Sequence, residues 1–268
     1  MNLNIAHVYI EMRAFEAYLK AQGLAPTTIT NHVRALTNFN HSLDASEYTI
    51  IRKVNANYQV GSQQKVILAS LSKYRHFKRL PKDQIRRALS TSNQDALNIQ
   101  QTNNDRIDLS SLPSVHDFRA LLAEYWKAKN YREYAILYLL LNYNTRNKDL
   151  VAKTTTDLKK VDAASNWLYI RSKSVVYFRN DYKTKARYGP KKHIIYSKYF
   201  REALQHIDGL LENGPNLDRE VKKVTRGVNE STLMKVNVCS NNTIKGLAKI
   251  SKNRGTGLET IKKSYDCT

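Results

Sequence analysis

Apolar side chains recur at helical spacing from residue 3 to residue 22, at Ile5, Val8, Tyr9, Met12, Phe15, Tyr18 and Leu19, and Gly23 follows as a natural stop. The next stretch, GLAPTTITNHVRALTNFN, carries a proline near its first turn with threonines beside it, and Ile29, Val33, Leu36 and Phe39 form its apolar stripe. A third, basic helical stretch, SQQKVILASLSKYRHFKRLP, closes a small helical domain over residues 1–82. From 83 to 112 the pattern fades into STSNQDALNIQQTNNDRIDLSS, polar and poor in large apolar groups, and this composition reads as a linker.

A second domain, 113–268, begins with LPSVHDFRALLAEYWKAKNYREYAILYLLLNYN, two helices of which the latter is apolar enough to be buried on most sides. After Arg146 the period changes. NWLYI, SVVYFRN and KHIIYS are β-branched and aromatic runs, and the last two are joined through DYKTKARYGPK, where Gly189-Pro190 marks the bend. Helical patterns resume with YFREALQHIDGLLEN and run to the end. The expected fold is mainly α with a small antiparallel β-sheet.

Charge narrows the partner. Lys and Arg number 44 against 23 Asp and Glu, a formal net charge of +21 spread over nearly the whole chain, with a pI near 9.9. Such a charge repels itself and is most simply tolerated when phosphates neutralise it, with counterion release supplying affinity. Seventeen tyrosines and six phenylalanines interleave with these cations, which suits contact with nucleic acid. Lys73, Arg75, Lys78 and Arg79 form a basic run that reads equally as a solvated face or a phosphate-contacting one.

Other chemistry is thin. Cys239 and Cys267 are too few for a disulfide framework, lie in no CxxC and have no histidine at ligand spacing, so neither a disulfide nor a structural metal is expected. The seven histidines are scattered without a metalloenzyme spacing, and no cofactor motif is present. The start of the chain has neither a basic leader nor a continuous apolar run, so an intracellular protein without a membrane segment is expected.

Taken singly, Arg146 fits a helix-capping cation, Lys183 a solvated turn residue and Tyr265 a tail aromatic. Their order and spacing around a strand hairpin join them. Here the chain resembles the tyrosine recombinases of the phage-integrase type, over nearly its whole length. GLAPTTITNHVRALTNF is similar to the threonine-led helix of that family's core-binding domain, and residues 113–268 are similar to its catalytic domain. In NYNTRNKDLV, Arg146 takes the place of the first catalytic arginine, with Asp149 as its acidic neighbour. YKTKARYGPKKHII resembles the hairpin lysine motif, with Lys183 the first choice and Lys185 the second. RGTGLETIKKSY reproduces the spacing of the last box, placing Thr256 at the family's histidine or tryptophan and Tyr265 at its nucleophile. TLMK departs from the His-x-x-Arg box, with Thr232 for the histidine and Lys235 for the arginine, and Arg254 is a further basic residue able to supply the missing guanidinium.

The resemblance implies a metal-free, cofactor-free transesterification. Tyrosine stores the phosphodiester energy as a covalent 3′-phosphotyrosine and later returns it. Its reference pKa of about 10 calls for cations that stabilise the phenolate and the pentacoordinate phosphorus, here Arg146 and Lys235. Lysine offers a point charge where arginine grips a phosphate through two parallel bonds. Lys183 would protonate the departing sugar oxygen and Thr256 would donate to the phosphate. The implied partner is double-stranded DNA, held by a homo-tetramer that is a monomer or weak oligomer when free, with Lys73, Arg75, Lys78, Arg79, Lys185 and Arg254 as further DNA contacts. Type IB topoisomerase chemistry and a DNA-binding relative that has lost cleavage remain the alternatives. The Asn, Lys, Ile and Tyr richness is of the kind an AT-rich viral or mobile-element genome produces.

Overall fold

A computed structural model of the chain describes residues 3–39, 41–105 and 109–265, and the chain divides into two compact units, 1–103 and 104–268. The first unit is helical: α1 (Leu3–Ala21), α2 (Pro26–Phe39), α3 (Glu47–Asn57), α4 (Ser62–Phe77) and α5 (Asp83–Asp105), whose end runs into the second unit. Its core gathers Phe15 and Leu19 of α1, Ile29 and Leu36 of α2, Ile50 and Val54 of α3, and Leu68, Leu71 and Tyr74 of α4. Met12, Phe15, Tyr18 and Leu19 of the first expected stripe and Ile29, Val33, Leu36 and Phe39 of the second lie in or against this core, while the side chains of Ile5, Val8 and Tyr9 are outside the described residues.

Two features of this unit differ from expectation. Helix α3 had no stripe to announce it, since only Ile50 and Val54 are buried, and Ser46 starts it by accepting the Thr49 amide. The segment from 83 onward, expected as linker, is α5 through Asp105. Ile85 is fully buried and Ala88 and Leu89 pack against the same core, a three-residue stripe at helical spacing inside an otherwise polar sequence. Glu47 accepts the Ile85 amide at 3.0 Å, satisfying one of the orphan donors of the first turn of α5.

Arg75 is the clearest correction in this unit. Only 3% exposed, it donates from Nε to the Pro81 carbonyl at 2.5 Å and from Nη1 to the Leu43 and Ala45 carbonyls at 3.1 and 2.8 Å. Its guanidinium ties loops of its own unit together and is not a phosphate contact. Lys78 is held by Glu11 at 2.5 Å, Lys73 is half-buried, and Arg79 is exposed.

The second unit begins with α6 (Val115–Lys127) and α7 (Tyr131–Tyr143). A capping box between Ser114 and Asp117 starts α6. Strands β1 (Ala152–Thr155), β2 (Asn166–Ile170) and β3 (Val175–Arg179) follow, then a short helix α8 (Lys185–Tyr188) and β4 (Lys191–Ile195). The sheet runs in the order β1-β2-β3-β4 and is mixed, because β1 pairs parallel to β2 while the two later pairings are antiparallel. Strand β1, four residues long and not apolar, gave no sequence signal.

Helices α9 (Lys198–Leu204), α10 (Leu217–Val224), α11 (Glu230–Ser240), α12 (Ile244–Arg254) and α13 (Leu258–Ser264) complete the unit. The helix expected through Asn213 stops at Leu204, because the following backbone bonds to the edge of β1 instead. The Thr154 amide donates to the Asp208 carbonyl and the Leu210 amide to the Ala152 carbonyl, each at 3.0 Å. The main core packs Phe118, Tyr134, Leu137, Leu140, Tyr177 and Phe200 around α7, and a separate small cluster joins Met234, Val238, Leu247, Ile250 and Ile261 of α11 to α13. Cys239 is disulfide-bonded, contrary to the expectation from two isolated cysteines, and Cys267 lies outside the described residues. Among the described residues no helix is long and apolar enough to cross a membrane.

Candidate active site

Helix α7 ends at Asn144, a left-handed residue with φ of 51°, and the chain turns sharply into Arg146. Arg146 opens a 3-10 turn over Asn147–Leu150, and its amide donates to Asp149 Oδ2 at 2.9 Å. Asp149 is wholly buried and ion-paired with the equally buried Arg179 at the end of β3, while the Tyr177 hydroxyl donates to the Asp149 carbonyl at 2.5 Å. The acidic neighbour of Arg146 therefore fixes the elbow that presents it.

The other half of the site is built on the C-terminal end of α12, whose last carbonyls lack intrahelical partners. Lys191 Nζ donates to the Lys252 carbonyl, Arg179 Nη1 to that of Asn253, and Arg146 Nη1 to that of Arg254 at 3.0 Å. Cations at this end of a helix are also favoured by its dipole. Gly255, with φ of 68°, takes the left-handed cap, and its carbonyl accepts from Thr184 Oγ1 at 2.7 Å. Arg146 Nη2 then reaches Thr256 Oγ1 at 2.7 Å.

Arg254 links this arrangement to the tyrosine. Its Nη1 donates to the Asn144 carbonyl at 3.2 Å, and its Nη2 lies 2.5 Å from Glu230 Oε1 and 3.3 Å from the Tyr265 hydroxyl. The guanidinium carbon stands 5.9 Å from the centre of the Tyr265 ring. Tyr265 caps the end of α13, and its ring packs against the small cluster of Met234, Val238, Leu247, Ile250 and Ile261. Asn237 of α11 donates to Asn144 Oδ1 at 2.6 Å and to the Leu141 carbonyl at 2.8 Å, which locks α11 to the end of α7.

Like charges crowd here. Burial, and after it the neighbouring Arg254, pulls the Arg146 pKa below its ordinary value. For Arg254 burial also works against the charge, but Glu230 first and Tyr265 next outweigh it, and the pKa is raised. Burial and then Arg179, Arg146 and Lys252 lower the pKa of Lys191, with Asp149 pulling the other way.

The fold thus brings Arg146, Thr256 and Tyr265 together around Arg254. Arg254, read from the sequence as a further DNA contact and as a residue able to supply the missing guanidinium, is 6% exposed and sits inside this group. Lys235 is buried on α11, and the Thr232 amide is taken by the helix-starting Asn229 at 2.8 Å. Lys183 is exposed in the β3–β4 connection, next to the Thr184 that holds Gly255, with no hydrogen bond or ion pair to a described residue. Lys185 Nζ donates to the Ala163 carbonyl at 3.3 Å. Lys191, Arg179 and Glu230 are members of the group that sequence reasoning missed. Lys191 follows the Gly189-Pro190 bend directly, and that was its one available signal. A separate cleft of about 590 Å³, bordered by Arg132, Lys148, Asp181, Gly209 and Glu212, includes neither Arg254 nor Tyr265.

No family model matches the sequence, and no curated protein matches it either. Among solved structures, the chain is similar to one described as the crystal structure of XerA recombinase, at 13% identity over 97% of this chain and 94% of that one, with a TM-score of 0.37. A likeness at that level carries no argument about what this chain does.

Proposed function

We propose that this protein cleaves and rejoins DNA strands through a covalent bond between Tyr265 and a DNA phosphate, in the manner of the tyrosine recombinases that its sequence resembles. The observation that supports the reading is the 3.3 Å approach of the Arg254 guanidinium to the Tyr265 hydroxyl, with Arg146 one residue away on the Arg254 carbonyl and on Thr256. On this proposal the Arg254 guanidinium beside the phenol stabilises the phenolate as it forms, and Arg146, held at the neighbouring Thr256, meets the negative charge on the phosphate being attacked. In this reading Arg254 carries the part that sequence spacing gives to Lys235, and Lys235 supports it from α11. Thr256 orients Arg146 and donates to the phosphate. The first unit, with exposed Arg79 and the neighbouring Lys73 and Lys78, adds backbone contacts to duplex DNA, and strand exchange takes place in a homo-tetramer assembled on the DNA.

The test is capture of the covalent intermediate. Nicked duplexes with a randomised core are incubated with the protein, and adducts that survive denaturation are isolated and sequenced. Adducts that disappear in Tyr265→Phe support the proposal. Tight, salt-sensitive binding with no adduct from any pool would instead make the protein a DNA-binding relative without cleavage. Relaxation of a supercoiled plasmid in place of recombination between two captured sites would assign topoisomerase chemistry.

A further inference from the structure

The end of the sheet opposite the candidate site carries a surface that strand cleavage at Tyr265 leaves unused. Strand β3 runs from Val175 to Arg179, so the turn between β2 and β3 lies about 13 Å along the strand from Arg179, at roughly 3.3 Å per residue. In that turn the Arg171 amide donates to the Ser174 carbonyl at 2.8 Å, and Arg201 Nη1 of α9 donates to the Ser172 carbonyl, which ties the turn to the helix. Ile195 pairs with Val175, so Tyr196 leaves β4 beside Ser174, and Ser197 then starts α9 by accepting the Phe200 amide at 3.2 Å. Tyr196 is 77% exposed, and Tyr199, on the first turn of α9, is 56% exposed. The Tyr199 ring stands edge to face with that of Trp126 at the end of α6, 4.9 Å between centres, and this contact holds its orientation. Cations surround these rings. Arg171, Lys173 and Lys198 are exposed, and their side chains make no hydrogen bond or ion pair with a described residue. Residues 163–180 hold no acidic side chain and 182–207 hold one, the half-buried Glu202, while Glu124 of α6 is already paired with Arg226.

We propose that this end of the sheet binds an unpaired DNA strand, at a second nucleic-acid site apart from Tyr265. Unpaired bases offer open π-faces that stack on exposed tyrosine rings, whereas in a duplex those faces are covered by the neighbouring base pairs. Arg171, Lys173 and Lys198 then meet the phosphates between stacked bases. An acidic protein surface would satisfy the three cations but would give Tyr196 no flat face to stack on. An apolar protein partner would cover the rings and strand three unpaired charges. Rings and cations together therefore favour a single strand of nucleic acid. DNA is the strand named because the proposed cleavage at Tyr265 brings it to the same unit, the one point at which this inference rests on that reading.

Binding of a short fluorescent oligothymidine, of an abasic strand of equal length and of a duplex, each followed by anisotropy across a range of salt, tests the site. The parent should bind the oligothymidine more tightly than the abasic strand. Tyr196→Ala and Tyr199→Ala should each weaken oligothymidine binding by about 5- to 100-fold and leave the abasic strand and the duplex within about twofold of the parent. Tyr196→Phe keeps the ring and should bind as the parent does. Replacing Arg171, Lys173 and Lys198 together by glutamine should flatten the log–log salt dependence for the oligothymidine by about 2. Thermal unfolding checks that each variant is folded, and Tyr196→Ala carries the test alone if loss of the Trp126 contact unfolds Tyr199→Ala. Equal affinity of the parent for the oligothymidine and the abasic strand, or parent-like binding in Tyr196→Ala, would overturn the proposal. Loss of duplex binding in the tyrosine variants would overturn it too, by making the surface part of a duplex clamp. Polyglutamate competing as well as unlabelled oligothymidine would assign the surface to an acidic protein, and oligouridine competing better would assign it to RNA, and either result removes the DNA strand as its ligand. None of these measurements involves a covalent adduct, so their failure is distinct from failure of Tyr265 as nucleophile.

Discussion

Arg254 and Tyr265 meet through Nη2 and the phenol oxygen at 3.3 Å, while Glu230 holds the same nitrogen at 2.5 Å. The guanidinium therefore arrives at the phenol already oriented, by a carboxylate on one side and the Asn144 carbonyl on the other. A planar fork can satisfy these groups together, and an ammonium cannot.

Arg254→Lys is accordingly expected to reduce covalent adduct formation by about 10²-fold, the scale seen when one preorganised donor is removed from a charged transition state. Arg254→Leu goes further, since it leaves Glu230 without its cation in a mostly buried setting, and should cost about 3–5 kcal/mol of stability. Adduct timing and urea unfolding separate the two effects. An Arg254→Lys protein as fast as the parent would reduce Arg254 to a structural tie.

Arg146, Thr256 and Tyr265 were singled out by the family resemblance of their motifs, each being unremarkable taken singly, and the fold brings the three near one another through Arg254. Arg254 was readable as a residue able to supply the missing guanidinium through its place two residues before Thr256, but nothing in a sequence this rich in cations says that it is buried. Arg75 shows the converse: a lysine and arginine run suggests a surface, and the internal carbonyls that capture its guanidinium come from chain about thirty residues earlier. Lys191 had only its place after the Gly189-Pro190 bend to mark it, because its bond to the Lys252 carbonyl depends on the end of a helix far along the chain. The polar α5 read as linker because its anchors, Ile85, Ala88 and Leu89, make too small a stripe to register against its composition. Strand β1 pairs in parallel through a connection that no local pattern encodes.

The Asp149–Arg179 pair is fully buried on both sides and also fixes the Arg146 elbow and the Asn253 carbonyl. Removing one member strands a charge. Arg179→Met or Asp149→Leu alone should each destabilise the second unit by about 3–5 kcal/mol, with the double variant recovering a large part of that loss. A double-mutant cycle by urea unfolding measures the coupling, and additive losses would show that the pair is not one interacting unit.

Gly255 should not tolerate a side chain. Its φ of 68° and the tight approach of Lys191 and Tyr182 oppose even a methyl group. Gly255→Ala is expected to cost roughly 1–2 kcal/mol and, on the proposed reading, to slow adduct formation by disturbing the turn that carries Arg254 and Thr256. Gly214→Ala, where a methyl would meet nothing within 4 Å, should change unfolding by about 0.5 kcal/mol or less. The two variants compared by thermal unfolding isolate the conformational demand at the α12 cap.

Acid should weaken the same unit through His193. The ring lies 5.2 Å from Tyr143 and 6.2 Å from Tyr177, its Nε2 is buried without a hydrogen-bond partner, and burial, followed by the charges of Arg179, Lys191 and Lys252, lowers its pKa from 6.5 to about 4. Between those values the unfolded chain binds the proton that the folded chain refuses, so stability rises with pH across the window and is lost progressively on acidification. Carboxylates that titrate nearby add their own slope, which a variant removes by difference. His193→Phe keeps an aromatic ring between the two tyrosines and has no proton to bind, so its thermal midpoint should fall less than the parent's as pH drops from 6.5 to 4, each kcal/mol of difference appearing as a shift of about 2–4 °C. Parallel curves for the two proteins over that range would mean that His193 takes up its proton in the folded state as readily as in the unfolded one.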